Sequence, residues 1–487
     1  MRVIDYITVS FLVVPIIIIL INNLLSKHIA KRISFYLVGA AAVLQIAASV
    51  ADFFLLPYYK LHEYKFTLLW NIDNPDSEYF AVNSLSLVIL FCIGFVTFIS
   101  VLIAKHTIDR KKVSYVNLLM TLIFGMNGML IVTDLFSLYV FLEIVGISSF
   151  VLIALFKSET GLEGSFKYLV MSSLASIFVL TGLAFVFMHV GSLQYENISK
   201  YILSGHGSSR LYLMYAGMIL LIAGFATKSG AVPFHSWLPD AHQSADTAIS
   251  VLLSGIVIKV AGVYGLIILS RLFDGIPAVN LTLLVMGTVS IIVGALLALK
   301  QDHFKRIVAY SSVSQVGYML LGVGAGGTLG LLGAVTHIFN HATFKCTLFS
   351  NAAALHEQTG TLDINDMGGL HEKMPVTGFS SVTAFLSTAG IPPFSGFWSK
   401  LLIVMALWMN DFKVFAGIAL FSSIFTASYF LRLQKKVFFG KVPNKYEYVK
   451  EIGGSIKYAE IFLTIIMIAV GLAFPLALLY LKGRGIL

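Results

Sequence analysis

Four lysines in this sequence occupy positions where a lysine is costly. Lys228, Lys259, Lys345 and Lys400 fall inside or beside long apolar runs, as do Glu143, His337 and His341. A charge at the centre of a membrane-spanning helix costs about 2.5–3.5 kcal/mol on insertion scales, so ionisable groups there usually face a protein interior and carry function. Lys259 lies in the middle of LLSGIVIKVAGVYGLII, where its stem is least able to reach a headgroup. Lys228 and Lys400 lie beside proline-interrupted stretches. His337, His341 and Lys345 are spaced i, i+4, i+8, which stacks them on one helical face over about 12 Å. Such a ladder can pass a proton. Taken singly, each residue also has a structural reading: interhelical hydrogen bonding for a histidine, snorkelling for a lysine near a helix end. Metal binding by the two histidines lacks the glutamate of H-E-x-x-H.

Dehydration disfavours a charged lysine, whereas a carboxylate about 4 Å away favours it by about 4 kcal/mol at an effective dielectric near 20. Moving Glu143, within LFSLYVFLEIVGISSFVLIALF, towards or away from Lys228 therefore switches whether that lysine holds its proton. A released proton has Lys259, then His341 and Lys345, then Lys400 as successive acceptors. His235, Asp240, His242 and Asp246 follow Lys228 closely and are candidate entrance or accessory groups. For Asp246 an N-cap role on the following helix is the favoured alternative. Gly322–Gly327 satisfies G-x-G-x-x-G but follows an apolar span and lacks an acid about 20 residues on, so it reads as a small-residue turn. Ser311, Ser312 and Ser314, near Tyr310 and Tyr318, read as hydrogen-bonding glue.

The elements that must position these groups are membrane-length helices. Apolar runs predict fourteen, at 7–25, 33–56, 81–104, 116–133, 135–156, 166–189, 211–230, 247–270, 278–299, 307–325, 329–355, 376–408 (interrupted), 413–434 and 459–481. The first is too long for a signal-peptide core and lacks a small-x-small cleavage site, so it is expected to span. Gly230-Ala-Val-Pro-Phe234 and Gly390-Ile-Pro-Pro-Phe394 share G-x-x-P-F, each after a membrane-length run. A proline frees a carbonyl that hydrocarbon cannot satisfy, so matched breaks point to protein- or water-lined cavities in an inverted-repeat transporter. The expected class is an all-α polytopic membrane protein with inverted five-helix repeats, spans 4–8 and 9–13, broken at spans 7 and 12. A single membrane domain over 1–487 would divide into N-terminal helices (1–115), a first repeat (116–270), a second repeat (278–436) and a cytoplasmic loop with the last helix (437–487). The longest polar loops, 57–80 and 436–458, are too short for a folded soluble domain.

Composition agrees: 58% hydrophobic and 12% charged residues leave too little polar surface for a soluble globule of 487 residues. The formal charge of +9 belongs to loops rather than to nucleic-acid binding. Loops after spans 1, 3, 5, 9, 11 and 13 carry 20 of the 33 Lys and Arg, and the opposite loops with both termini carry nine. The positive-inside rule then places both termini outside the cytoplasm and leaves the same four lysines unassigned to any loop. Cys92 and Cys346, one in each of two spans, support neither a disulfide framework nor a metal or iron–sulfur site.

KSGAVPFHSWLPDAH (228–242), mid-helix Lys259, the H-x3-H-x3-K of 337–345, IPPFSGFWSK (391–400) and the FLEI glutamate together resemble the antiporter-like subunits of respiratory complex I, Mrp cation/proton antiporters and energy-converting membrane hydrogenases. The resemblance covers about 80–480. It implies fourteen helices, Glu143 and Lys228 as a modulating ion pair, Lys259 as central relay, His337, His341 and Lys345 as the linking ladder, and Lys400 as terminal site. A chain ending soon after the last helix is similar to a medium-sized, D-type or M/N-type member. One departure is Asp246 after Ala245, where the family commonly has proline.

The expected function is proton translocation within a larger ion-pumping complex of the cell membrane. No cofactor and no redox site is expected in this chain, so energy must come from partners: other membrane subunits, further antiporter-like subunits and a peripheral redox arm, or a sodium gradient. A self-sufficient cation/proton antiporter, a sodium-conducting subunit and an inert scaffold are the competing expectations.

Overall fold

The computed structural model describes residues 3–55, 64–66, 80–204 and 211–483. Along the chain run α1 (Val3–Leu24), α2 (Lys27–Leu55), an antiparallel ribbon of β1 (Tyr64–Phe66) and β2 (Phe80–Val82), α3 (Ser84–Thr107), α4 (Lys112–Ile131), α5 (Leu135–Ile153), α6 (Glu159–Val190), α7 (Tyr195–Leu203) and α8 (Leu211–Ser229). Then come α9 (Trp237–Ser244), α10 (Thr247–Leu252), two π-helical segments (Leu253–Val257 and Lys259–Tyr264), α11 (Gly265–Leu272), α12 (Pro277–Leu299), α13 (Phe304–Ala325) and α14 (Gly327–Thr359). The chain closes with α15 (Leu370–Lys373), α16 (Pro375–Ala389), α17 (Ser395–Met409), α18 (Lys413–Val437) and α19 (Gly454–Gly483). The polar loop expected over 57–80 lies largely outside the described residues.

Among the described residues twelve helices are long and apolar enough to cross a membrane. Two of the fourteen expected spans are not in that set, for different reasons. The α14 helix is 33 residues long, but the polar groups of its middle lower its hydropathy. The region 376–408 is cut into α16 and α17, each of 15 residues. Exposed Leu, Ile, Val and Phe side chains on many of these helices are the surface that lipid would cover.

The chain forms two compact units, one of Met1–Phe98, Arg110–Ser229 and Val257–Pro277, the other of Ile99–Asp109, Gly230–Ile256 and Ala278–Leu487. In the first, α5, α6 and α8 pack together and the Lys259–Tyr264 segment packs on α8. Asp134 caps α5 by accepting from Ser137 N, and Ser158 caps α6 by accepting from Gly161 N. In the second, α14 is the hub, packed against α13, α16, α17 and α19.

The two breaks are built alike. Gly230 and Gly390 follow α8 and α16 with φ of +70° and +82°, a region glycine enters without a Cβ penalty. In each, the motif's phenylalanine N–H donates to the residue after the glycine: Phe234 to Ala231 O at 2.7 Å, Phe394 to Ile391 O at 3.2 Å. Val232–Pro233 and Pro392–Pro393 are both cis peptide bonds.

Candidate functional site

In the first unit, the last turn of α8 carries Lys228 into contact with α5 and α6. Its side chain is 1% exposed. Lys228 Nζ donates to Ser172 Oγ at 2.7 Å and to Ser176 Oγ at 3.3 Å, and lies 3.6 Å from Glu143 Oε1. Ser176 in turn donates a short hydrogen bond to Glu143 Oε1. Both serines lie on α6, one turn apart, so a single helix face presents two hydroxyls to the ammonium. Room for the ammonium depends on Gly146 of α5, where a Cβ would lie 3.3 Å from Nζ.

Lys259 is fully buried at the start of the second π-helical segment. Its helix approaches the end of α8 at backbone distance: a Cβ on Gly262 would lie 2.3 Å from Ser229 N, and one on Gly265 would lie 2.1 Å from the Phe225 ring. Small residues at these positions bring Lys259's helix against the residue following Lys228. Single π-type turns recur at functional sites because they re-aim side chains.

In the second unit, His337, His341 and Lys345 are all fully buried on α14. Lys345 Nζ donates to Val308 O at 2.6 Å and makes a shorter bond to Ser311 Oγ, both on α13. His337 Nδ1 is 2.9 Å from Ser399 Oγ on α17, and Asn340 Nδ2 donates to the same hydroxyl at 3.0 Å. The next residue, Lys400, is 5% exposed; its Nζ lies 4.2 Å from the centroid of the Tyr318 ring and 3.5 Å from Ala389 O at the break. Tyr318 also lies 5.8 Å, ring to ring, from His337. One aromatic ring thus touches both the upper ladder and Lys400. Successive ladder residues are offset by about 6 Å of helix rise, a step that a moving side chain or a water can bridge.

The expected entrance residues separate in role. Asp246 Oδ1 accepts from Ala248 N at 2.9 Å as the N-cap of α10, and from Thr107 Oγ1 at 3.1 Å. Asp240 pairs with Arg306 at 2.6 Å. His242 is fully buried, its ring stacked on Phe349 at 5.0 Å. His235 is half-buried on the break, its ring 6.3 Å from Tyr310. Lys305, a further buried lysine beside this group, donates to Ala245 O at 2.8 Å.

The sequence names the ionisable groups but not their partners. Ser172 and Ser176 are signalled there only by an i, i+4 hydroxyl spacing, in a helix that also carries Ser165, Ser173 and Thr181. Ser311, expected to be hydrogen-bonding glue, accepts from Lys345. Tyr318 and Ser399 carry no distinguishing signal, because their value lies in which helix they face.

The family described as NADH:quinone oxidoreductase/Mrp antiporter, transmembrane, matches residues 132–426. The chain is 33% identical over 341 residues to the D-type subunit of the Na(+)/H(+) antiporter of Alkalihalophilus pseudofirmus, covering 70% of this chain and 68% of that protein. It is 32% identical to the N-type subunit of the NADH-quinone oxidoreductase of Desulforudis audaxviator, covering 69% and 67%. It is 31% identical to the M-type subunit of the F(420)H(2) dehydrogenase of Methanosarcina mazei, covering 74% and 73%. A chain of the Mrp complex from Dietzia sp. DQ12-45-1b shares the fold with a TM-score of 0.86 at 24% identity, over 98% of this chain and 96% of that one. A chain of an archaeal membrane-bound sulfane sulfur reductase aligns with a TM-score of 0.81 at 26% identity, over 96% and 75%. This nearly all-helical, multi-pass membrane protein belongs to the antiporter-like family shared by NADH:quinone oxidoreductases and Mrp antiporters.

Proposed function

We propose that this chain is a proton-translocating subunit of a multi-subunit ion-pumping complex in the cytoplasmic membrane, with both termini on the outer side. The observation that carries this reading is the buried Lys228, held by two serines within 4 Å of Glu143. An ammonium so placed keeps or gives up its proton according to where one carboxylate stands. Lys259 is the next acceptor, His337, His341 and Lys345 form the ladder, and Lys400 is the terminal group. The relatives named as subunits of an antiporter, a quinone reductase and a dehydrogenase support further membrane subunits as partners.

A second reading, sodium–proton exchange by the chain itself, draws on the relative named as part of an Na(+)/H(+) antiporter. Affinity purification of the tagged full chain from mild detergent, followed by transport assays in liposomes, separates the two. The first reading expects co-purifying membrane subunits and no ion exchange by the isolated chain. Sodium-dependent proton movement by the isolated chain would establish the second.

A further inference from the structure

Glu460, in the second turn of α19, is a fully buried acid outside the lysine–histidine series. Its Oε1 accepts from Asn351 Nδ2 at 2.7 Å, and its Oε2 lies 3.0 Å from Thr377 Oγ1. That same hydroxyl lies 2.8 Å from Glu451 Oε1. Thr377 therefore stands between two carboxyl groups with one hydroxyl proton to give. It can donate to only one of them. The other contact is a hydrogen bond only if that carboxyl carries a proton and donates to the threonine oxygen.

The surroundings decide which. Glu451, half-exposed in the loop before α19, is already an acceptor on both oxygens: Val376 N and Thr377 N, in the first turn of α16, donate to Oε2 at 2.6 and 3.4 Å, and Ile452 N donates to Oε1 at 3.2 Å. Donors at a helix N-terminus suit an anion. Glu460 has only neutral side-chain hydrogen-bond partners among the described residues, and a fully buried carboxylate without a counter-charge is costly. Two buried acceptors lie alongside. The Oδ1 of Asn351 is fully buried and accepts from no described residue, and the Oε1 of Gln434, whose amide donates to Ser381 at 2.6 Å, is in the same condition. Both are free to accept from water. Asn351 lies on α14, six residues beyond Lys345.

We propose that Glu460 is a proton-holding site that exchanges with water through Thr377 and Glu451. In one step the Glu460 O–H bond breaks as Thr377 Oγ1 gains that proton, while the threonine's own proton passes to Glu451 Oε1. Two protons shift, the net transfer is one proton from Glu460 to Glu451, no electrons move, and Glu451 then releases a proton at the surface. The loop 436–458, rich in lysine, assigns this port to the cytoplasmic side. It is a site additional to the lysine–histidine series, and neither depends on the other.

Infrared spectroscopy of the full chain in nanodiscs, followed on transfer to D2O, tests this. The expected result near neutral pH is a protonated-carboxyl C=O band that disappears in Glu460→Gln and shifts promptly with deuterium in the unaltered chain. Thr377→Val keeps the band but slows its shift about tenfold or more, and Thr377→Ser restores the rate. Two results would each overturn the proposal: a carboxyl spectrum unchanged in Glu460→Gln, or exchange in Thr377→Val at the rate of the unaltered chain. The Val/Ser pair leaves Glu460 in place, so the conclusion does not hinge on the folding of Glu460→Gln.

Discussion

Lys228 Nζ and Glu143 Oε1 stand 3.6 Å apart, close enough for strong attraction and too far for a direct hydrogen bond. Ser176 spans the gap, donating to Glu143 and accepting from Lys228. Ser172 gives the ammonium its shortest contact. The lysine therefore rests on neutral hydroxyls, with its counter-ion one small movement away. Glu143→Gln removes the controlling charge and is expected to lower proton transport about tenfold or more, since about 1.4 kcal/mol is tenfold in rate. Ser176→Ala is expected to have a smaller effect in the same direction and Ser176→Thr to retain most activity, measured as acidification of inverted membrane vesicles.

Gly262 tests the close approach of Lys259's helix to α8. A methyl group there would meet backbone atoms of Ser229 at 2.3–2.4 Å, and backbone cannot swing aside as a long side chain can. Gly262→Ala is expected to destabilise the chain by about 1–3 kcal/mol and to depress transport as well. Thermal unfolding in detergent measures the first and vesicle acidification the second. Unchanged values of both would show that the contact is not needed.

Tyr318 is expected to act on Lys400 through its ring face. Tyr318→Phe keeps that face, so the part of transport that depends on Lys400 should survive. Tyr318→Leu removes a contact worth about 2 kcal/mol when desolvated, and transport should fall. Equal losses in both variants would instead point to the hydroxyl, which donates to Ala419 O at 2.8 Å.

His303, in the turn before α13, supplies a pH signature outside the membrane. Burial first, then the neighbouring Lys305 and Arg306 charges, lowers its pKa to about 4. The unfolded chain takes up this proton near pH 6.5 and the folded chain resists it until about 4, so between those values the unfolded state binds more protons. Stability contributed here is full above about 6.5 and falls as pH drops towards 4. His303→Gln is expected to flatten that part of a pH series of unfolding temperatures. Asp302 continues this trend at lower pH: its hydrogen bond from Arg432 holds its carboxyl below the ordinary aspartate range, so its contribution too is lost as pH falls through that range.

How much was legible in advance follows from what each signal measures. Uninterrupted apolarity placed the elements closely: the span expected at 135–156 is Leu135–Ile153, and that at 278–299 is Pro277–Leu299. The G-x-x-P-F pairs marked both breaks because proline and left-handed glycine act locally. The π-helical course around Lys259 was not legible, because it arises from packing between helices distant in sequence. The same is true of Ser172, Ser176 and Tyr318, whose roles depend on the opposing helix. Glu460 was overlooked for a simpler reason. The last span was expected to begin at 459, which puts an acid at a wet helix end, whereas α19 begins at Gly454 and carries Glu460 inside.

Lys259 offers the most direct test of proton movement along the buried bases. It is fully buried and lies in the centre of the Thr247–Leu272 span. Acidification by inverted vesicles should be measured for Lys259→Ala in the assembled complex, with assembly verified by recovery of the partner subunits. Transport reduced about tenfold or more, with assembly intact, is the predicted result. Undiminished transport by a properly assembled Lys259→Ala complex would contradict it.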